Sequence, residues 1–171
     1  NPVFSRNYYL FLFSLLGLVC SIGLFVPLLD NDAAHHANIA LRMYLTGDYV
    51  NLMDGGTDYL DKPHLHFWLS AFSYQLFGIS SFAYKLPSFL FSILGVYSVY
   101  RAGKLLYTAE TGRLAALILA SSISFLLANS DVRMDAIITA TIAFSFWQLA
   151  TLIKTNAFKH IPLAALGLAL G

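Results

Sequence analysis

Asp61, Lys62, His64 and His66 fall within six residues, with Pro63 between the charged pair and the histidines. A carboxylate in such a setting takes a proton or binds a divalent cation. The neighbouring ammonium meets a phosphate as a point charge. Two histidines at this spacing offer possible metal ligands. Upstream, Asp32 is followed by His35 and His36. Adjacent positions diverge by about 100° on a helix, so the two rings do not share one metal, but either can pair with Asp32. Each residue also has a plainer reading. Asp32 is a good helix N-cap. Lys62 can be an interfacial anchor whose stem snorkels along apolar surface. The histidines can be partly exposed surface residues. Downstream, Asp131, Arg133 and Asp135 fall within five residues. Asp135 opens an apolar run, where the helix dipole favours a carboxylate. Charges at a membrane boundary also lean towards function.

The elements that position these groups are set by an apolar sequence. Of 171 residues, 58% are hydrophobic and 11% charged, against about a quarter charged in a soluble domain. That deficit is too large for a water-facing surface. The net charge of +1 and the lack of any basic run exclude a nucleic-acid partner. The single cysteine, Cys20, excludes an internal disulfide or a cysteine-built zinc site and reads as a packing residue.

A helix needs roughly 20 apolar residues to cross a bilayer. Spans are expected over about 8–29, 85–106, 112–129 and 135–153, with a fifth starting at 161. The chain reads as the N-terminal part of a longer membrane protein. Arg6, then Arg101, Lys104 and Arg113, then Lys154 and Lys159 fall on one side of four such spans, the side that the positive-inside rule makes cytoplasmic. The long loop 30–84 and the turn 130–135 then face outward. That loop holds six of the nine acidic residues. Two helices are expected in it, both lying along the membrane surface. One runs from Ala33 to Leu45, capped by Asp32 and stopped by Gly47, with His36, Ile39, Ala40 and Met43 towards one side. The other covers Pro63 to Gly78, where Phe67, Trp68, Phe72 and Tyr74 suit the headgroup level. Gly55, Gly56 and Thr57 predict a turn, and no sheet is expected.

The order of these signals is itself informative. A span ends in Pro-Leu-Leu-Asp-Asn-Asp (27–32), and an amphipathic helix follows. Next come Gly47-Asp48, Asp61-Lys62-Pro63, an aromatic helix, Leu76-Phe77-Gly78 and Lys85-Leu86-Pro87-Ser88. From about Leu28 to Ile153 this resembles the N-terminal part of polyprenyl-phosphate-dependent glycosyltransferases of the GT-C fold. Within them it is similar to the protein O-mannosyltransferases and the bacterial aminoarabinose transferases. The resemblance implies an all-α polytopic membrane bundle with interfacial helices in its first extracytoplasmic loop. It implies that Asp32 matches the proposed catalytic carboxylate of an Asp-Glu pair, whose Glu is Ala33 here. It also implies that Lys62 contacts the donor phosphate and that Asp61, in place of the commoner Glu, helps hold a divalent metal. His64 stands where a second Pro is usual, and His35 where an Arg often follows the Asp-Glu pair. Asp135 matches an Asp at the outer end of the fourth span.

The expected function is transfer of a sugar from a polyprenyl-phosphate donor to a lipid, glycan or protein acceptor at the outer face of a bacterial inner membrane. Asp32 is the expected base, Lys62 the phosphate ligand and Asp61 the metal ligand, with His35, His36, His64, Arg133 and Asp135 in support. Two other classes remain open at this point. A transporter or channel component would place charges at midspan. A non-catalytic assembly subunit would keep the fold, and Ala33 in place of the family Glu fits it.

Overall fold

The computed structural model describes residues 4–130 and 135–171, so Asp131 and Arg133 lie outside the described residues. Eight helices and one short hairpin account for the described chain: α1 (Arg6–Gly23), α2 (Asn31–Thr46), β1 (Met53–Asp54), β2 (Thr57–Asp58), α3 (Leu65–Phe77), α4 (Ser81–Leu106), α5 (Ala109–Ser121), α6 (Ile123–Ser130), α7 (Asp135–Thr155) and α8 (His160–Leu170). The fold is an all-α bundle, and α1, α4 and α7 are long and apolar enough to cross a membrane. The protein is an integral membrane protein.

Two of the expected spans take a different form. The apolar run from 8 to 29 is helical only to Gly23, after which a turn at Leu24 and Phe25 leads into a segment without regular structure. The run from 112 to 129 is two helices, α5 and α6, bent by 60° at Ser122. Ser122 has extended backbone angles, and its hydroxyl donates to the Leu119 carbonyl (2.9 Å). The same carbonyl also accepts the Ser122 amide (3.2 Å), so both polar groups of Ser122 turn back onto the end of α5.

Small residues let the helices approach closely, as is usual where lipid tails give helices no hydrophobic drive to associate. A Cβ on Gly95 of α4 would lie 3.0 Å from the Ala140 Cα of α7. Gly103 of α4 and Gly112 of α5 meet backbone to backbone, so a Cβ on Gly112 would lie 2.5 Å from the Tyr100 carbonyl oxygen. Gly167 of α8 seats against α7, where the Ser145 hydroxyl donates to Ala164 O (3.1 Å).

Above α4 and α7, helices α2 and α3 close over a shared core. Ala37, Ile39, Ala40 and Met43 of α2 pack with Phe67, Ala71 and Tyr74 of α3 and with Ala83 and Tyr84 of α4. Leu52 joins from the loop, and Ile138 of α7 packs against the edge. The apolar face of α2, expected to rest on the membrane plane, is therefore buried against protein. Phe67 and Tyr74 of α3 are likewise core residues, while Trp68 and Phe72 stay exposed. An apolar helical face is satisfied by any apolar partner, and here α3 and α4 provide it.

A buried cation ties this layer to α1. Lys85 is fully buried. Its ammonium donates to the Gly23 carbonyl (3.2 Å) and the Val26 carbonyl (2.8 Å) at the end of α1. The Gly23 carbonyl also accepts the Val26 amide (3.3 Å) in the turn that follows α1, and a cation suits the dipole at this helix end. Two residues later, Pro87 sits inside α4, where it can give no amide proton to the ladder.

Candidate active site in the first loop

The cap of α2 is Asp30, not Asp32. Asp30 has extended backbone angles (φ −85°, ψ 137°), and its Oδ1 accepts the amide of Asp32 (3.4 Å). Asp32 occupies the first turn, where the helix dipole favours a carboxylate. Its side chain, 58% exposed, is left for other work. Gly47 ends the helix at φ 71° and donates its amide to Met43 O (3.0 Å), the stop expected of it. Asp48 then accepts the amides of Val50 (3.1 Å) and Asn51 (3.0 Å) and the Asn51 side-chain amide (2.9 Å), which holds its carboxyl below the usual carboxylate range. It is a turn-former for the segment that follows α2.

The loop returns through a hairpin absent from the sequence reading. Met53 pairs with Asp58 and Asp54 with Thr57. The turn at Gly55 and Gly56 has positive φ at both residues (56° and 100°), as a two-residue hairpin of this type requires. The predicted turn is there; the two short strands beside it were missed because two residues are too few for any alternation. The hairpin presents Asp54 to α2, where the carboxylate lies 3.6 Å from His35 Nε2. Tyr59 leaves the hairpin and donates its amide to Leu52 O (2.8 Å).

Tyr59 is the residue around which the polar groups gather. Its hydroxyl lies 3.0 Å from His36 Nε2, and the same nitrogen is 3.8 Å from Asp32 Oδ1. Its ring meets His35 (5.5 Å between centroids), His36 (6.1 Å) and Phe67 (6.1 Å). Burial raises the Tyr59 phenol, and the nearby carboxylates of Asp61, Asp32 and Asp54 raise it further. Burial lowers the His36 imidazole; the Asp32 carboxylate opposes this, while His35 and Lys62 add to it. The charges of Asp32, Asp54, Asp61 and Lys62 thus all act on one His36–Tyr59 pair. Asp61 and Lys62 are exposed, at the bend before α3. His36 is 2% exposed, with its Nδ1 buried and unmatched by any partner among the described residues.

The other predicted residues have separate places. His64 precedes α3, and its Nε2 bonds to Val50 O (2.9 Å). Trp68 donates its indole N–H to Tyr49 O (2.6 Å). Together they tether the start of α3, and with it Asp61 and Lys62, to the loop after α2. His66 is buried against Tyr84, Nε2 to hydroxyl 3.0 Å, with its imidazole pushed down to about 3 by burial. It is a core residue and not an exposed ligand. Asp135 is exposed in the first turn of α7. It stands three residues before Ile138, on the same side of the helix. Since Ile138 packs on the α2–α3 core, this end of α7 faces the loop. Tyr59 and Asp54 were missed by the sequence reading. The signal for Tyr59 was its position two residues before Asp61-Lys62, between a turn and an aromatic helix.

As for a metal, no group of three His, Cys, Asp or Glu side chains suited to hold one occurs among the described residues. A lone carboxylate fits a hydrated magnesium-like ion, which takes one or two carboxylates and completes its shell with water and substrate phosphate oxygens.

Comparison with known proteins gives the chain its family and fold. Residues 61–171 match the family described as dolichyl-phosphate-mannose-protein mannosyltransferase. The chain is 28% identical over 169 residues to undecaprenyl phosphate-alpha-4-amino-4-deoxy-L-arabinose arabinosyl transferase 1 of Pseudomonas fluorescens, covering 94% of this chain and 29% of that protein. The similarly named transferase of Pseudomonas aeruginosa is 27% identical over 158 residues, covering 87% of this chain and 27% of its own length. The chain therefore spans under a third of the length of these relatives. Among solved structures, ArnT from Cupriavidus metallidurans in the apo state superposes with a TM-score of 0.57 at 18% identity, over 96% of this chain and 39% of that one. The same protein bound to undecaprenyl phosphate gives 0.56 over 98% and 40%. The likeness is one of fold, the GT-C arrangement of membrane helices. With its family model matched over well more than half its length, the chain belongs to the dolichyl-phosphate-mannose-protein mannosyltransferase family.

Proposed function

We propose that this chain contributes the catalytic first loop of an enzyme that transfers a sugar from a polyprenyl-phosphate donor to an acceptor. In this reading the loop lies at the extracytoplasmic face of a bacterial inner membrane. The observation that carries the reading is the release of Asp32 from capping, which leaves an exposed carboxylate beside the His36–Tyr59 pair. Asp32 takes the proton of the acceptor nucleophile. The acceptor atom bonds to the anomeric carbon as the bond to the lipid phosphate breaks, and the electron pair leaves with the phosphate. Lys62 faces that developing charge. Asp61 is the proposed ligand of a divalent ion that would supply further positive charge to the phosphate. Asp135 closes the site from α7. The acceptor is a lipid, glycan or protein.

Two features support this reading over a transporter. Helices α1 and α4 carry no carboxylate, and α7 carries one only in its first turn. The acidic groups gather instead on the loop. The experiment is a transfer assay on membranes holding the protein, supplied with polyprenyl-phosphate sugars, comparing wild type with Asp32→Asn. Transfer by wild type and its loss in the variant are expected. Full activity in the variant would remove Asp32 from the mechanism, and no transfer by wild type from any donor would favour the assembly-subunit reading.

A further inference from the structure

Away from the residues of the polar loop, α1, α4 and the bent α5–α6 pair line a half-open cavity of about 520 Å³. Its size is in the range of small-molecule sites, and its walls are nearly all apolar. Phe13, Leu16 and Gly17 of α1 face Phe89, Ile93 and Val96 of α4 across it. Along α1 the lining runs from Arg6 to Ser21, which is about 22 Å at 1.5 Å per residue. The end nearest the loop is closed by a polar pair, Ser92 Oγ donating to Asn129 Oδ1 (2.6 Å).

The opposite end is charged. Glu110 accepts the Tyr9 hydroxyl (2.7 Å) and the Arg113 guanidinium (3.3 Å), and Arg113 lies over the Tyr9 ring (5.8 Å). Arg6 lines the same mouth and is exposed, with no hydrogen bond or ion pair among the described residues. Two guanidinium groups and one carboxylate leave a surplus of one positive charge at the opening of an apolar slot. Two other basic residues at this end are engaged elsewhere: Arg101 stacks on Trp147 (4.8 Å) and bonds to the Tyr97 hydroxyl, and Lys154 donates to the Leu105 carbonyl.

We propose that this cavity binds one anionic membrane phospholipid, with its phosphate at Arg6 and Arg113 and an acyl chain between α1 and α4. The charge surplus calls for one anion, and the apolar walls call for a hydrocarbon chain on the same molecule. Basic pockets between membrane helices hold anionic headgroups on this logic. The site is independent of the sugar-transfer reading, because it shares no residue with the loop.

Native mass spectrometry of the delipidated protein in detergent tests it, with phosphatidylglycerol and phosphatidylethanolamine of identical chains added in turn. Wild type should retain a single phosphatidylglycerol about fivefold more than phosphatidylethanolamine. Arg6→Gln should remove that preference. Gly17→Leu should lower retention of both lipids, since a Cβ on Gly17 meets nothing within 4 Å and the side chain would fill the slot. Equal retention of the two lipids by wild type would overturn the proposal, as would unchanged retention in both variants. A Gly17→Leu protein that loses thermal stability while wild type retains no lipid would assign the cavity to a protein segment instead.

Discussion

Asp30 and Asp32 stand two residues apart, and the carboxylate of the first accepts the backbone amide of the second (3.4 Å). One acid thus serves the helix and leaves the other exposed. Either residue type could have capped α2 on propensity alone. The division of labour makes their substitutions separable. Asp32→Asn should lower transfer by about 10²–10⁴-fold, the usual contribution of a general base, with little change in melting temperature. Asp30→Ala should cost about 1 kcal/mol of stability while retaining most activity. Transfer assays and thermal scans on the two variants check this, and equal losses of activity would count against the assignment.

Lys62 is exposed at the bend before α3, and the His64 and Trp68 bonds to residues 49 and 50 hold that bend in place. Lys62→Ala should therefore act on the donor and not on the fold. The expected effect is a rise in donor KM of about tenfold or more, as for loss of a hydrogen bond to a charged group. An unchanged KM would remove Lys62 from phosphate binding.

Asp61 gives the metal proposal its own check. Chelation should abolish transfer and a divalent cation should restore it, with Asp61→Asn raising the cation concentration required. Activity indifferent to chelators would leave Asp61 without a metal role.

Tyr59→Phe deletes the hydroxyl beside His36 Nε2 and leaves a buried ring nitrogen without its partner. A loss of about 1–3 kcal/mol is expected, read as a lower melting temperature. The local nature of the loss can be checked by proteolysis of the loop, which should accelerate. A variant as stable as wild type would show that the bond contributes nothing.

His66 gives a stability signature in acid. Its folded pKa is depressed to about 3 from an ordinary 6.5 by burial, so the unfolded chain binds the proton first as pH falls. Its contribution is fully present above about 6.5 and is lost as pH falls from there towards 3, by up to about 1.4 kcal/mol per pH unit. His66→Gln, which can still bond to the Tyr84 hydroxyl, should flatten the fall in melting temperature between pH 6.5 and 4.5. An unaltered acid limb would assign it to other groups.

Gly112→Ala places a Cβ 2.5 Å from the Tyr100 carbonyl oxygen and 2.8 Å from the Lys104 nitrogen. Both contacts are backbone atoms within α4, so helix α5 must move away. A loss of about 1–3 kcal/mol is expected from such overpacking. Gly17→Ala, with nothing within 4 Å of its Cβ, is the matched control and should be neutral or mildly stabilising. Thermal scans of the pair in detergent measure the difference.

The amino-acid sequence by itself determined the membrane class, because bilayer insertion depends on local apolar run length. It determined the stop of α2 at Gly47 and the turn at Gly55-Gly56, because positive φ is a property of single residues. It carried the family resemblance through the order of short motifs, Asp61-Lys62-Pro63 above all. What it left open were choices between equal local options. Asp30 and Asp32 have the same capping propensity, and only the folded chain shows that Asp30 is the one that caps. The apolar side of α2 suits a membrane or a helix equally, and the presence of α3 and α4 decided it. The bend at Ser122 and the gathering of Asp32, Asp54, Asp61 and Lys62 about the His36–Tyr59 pair depend on contacts between distant parts of the chain. No local pattern encodes such contacts, so the tertiary structure alone decided where these candidate residues come together.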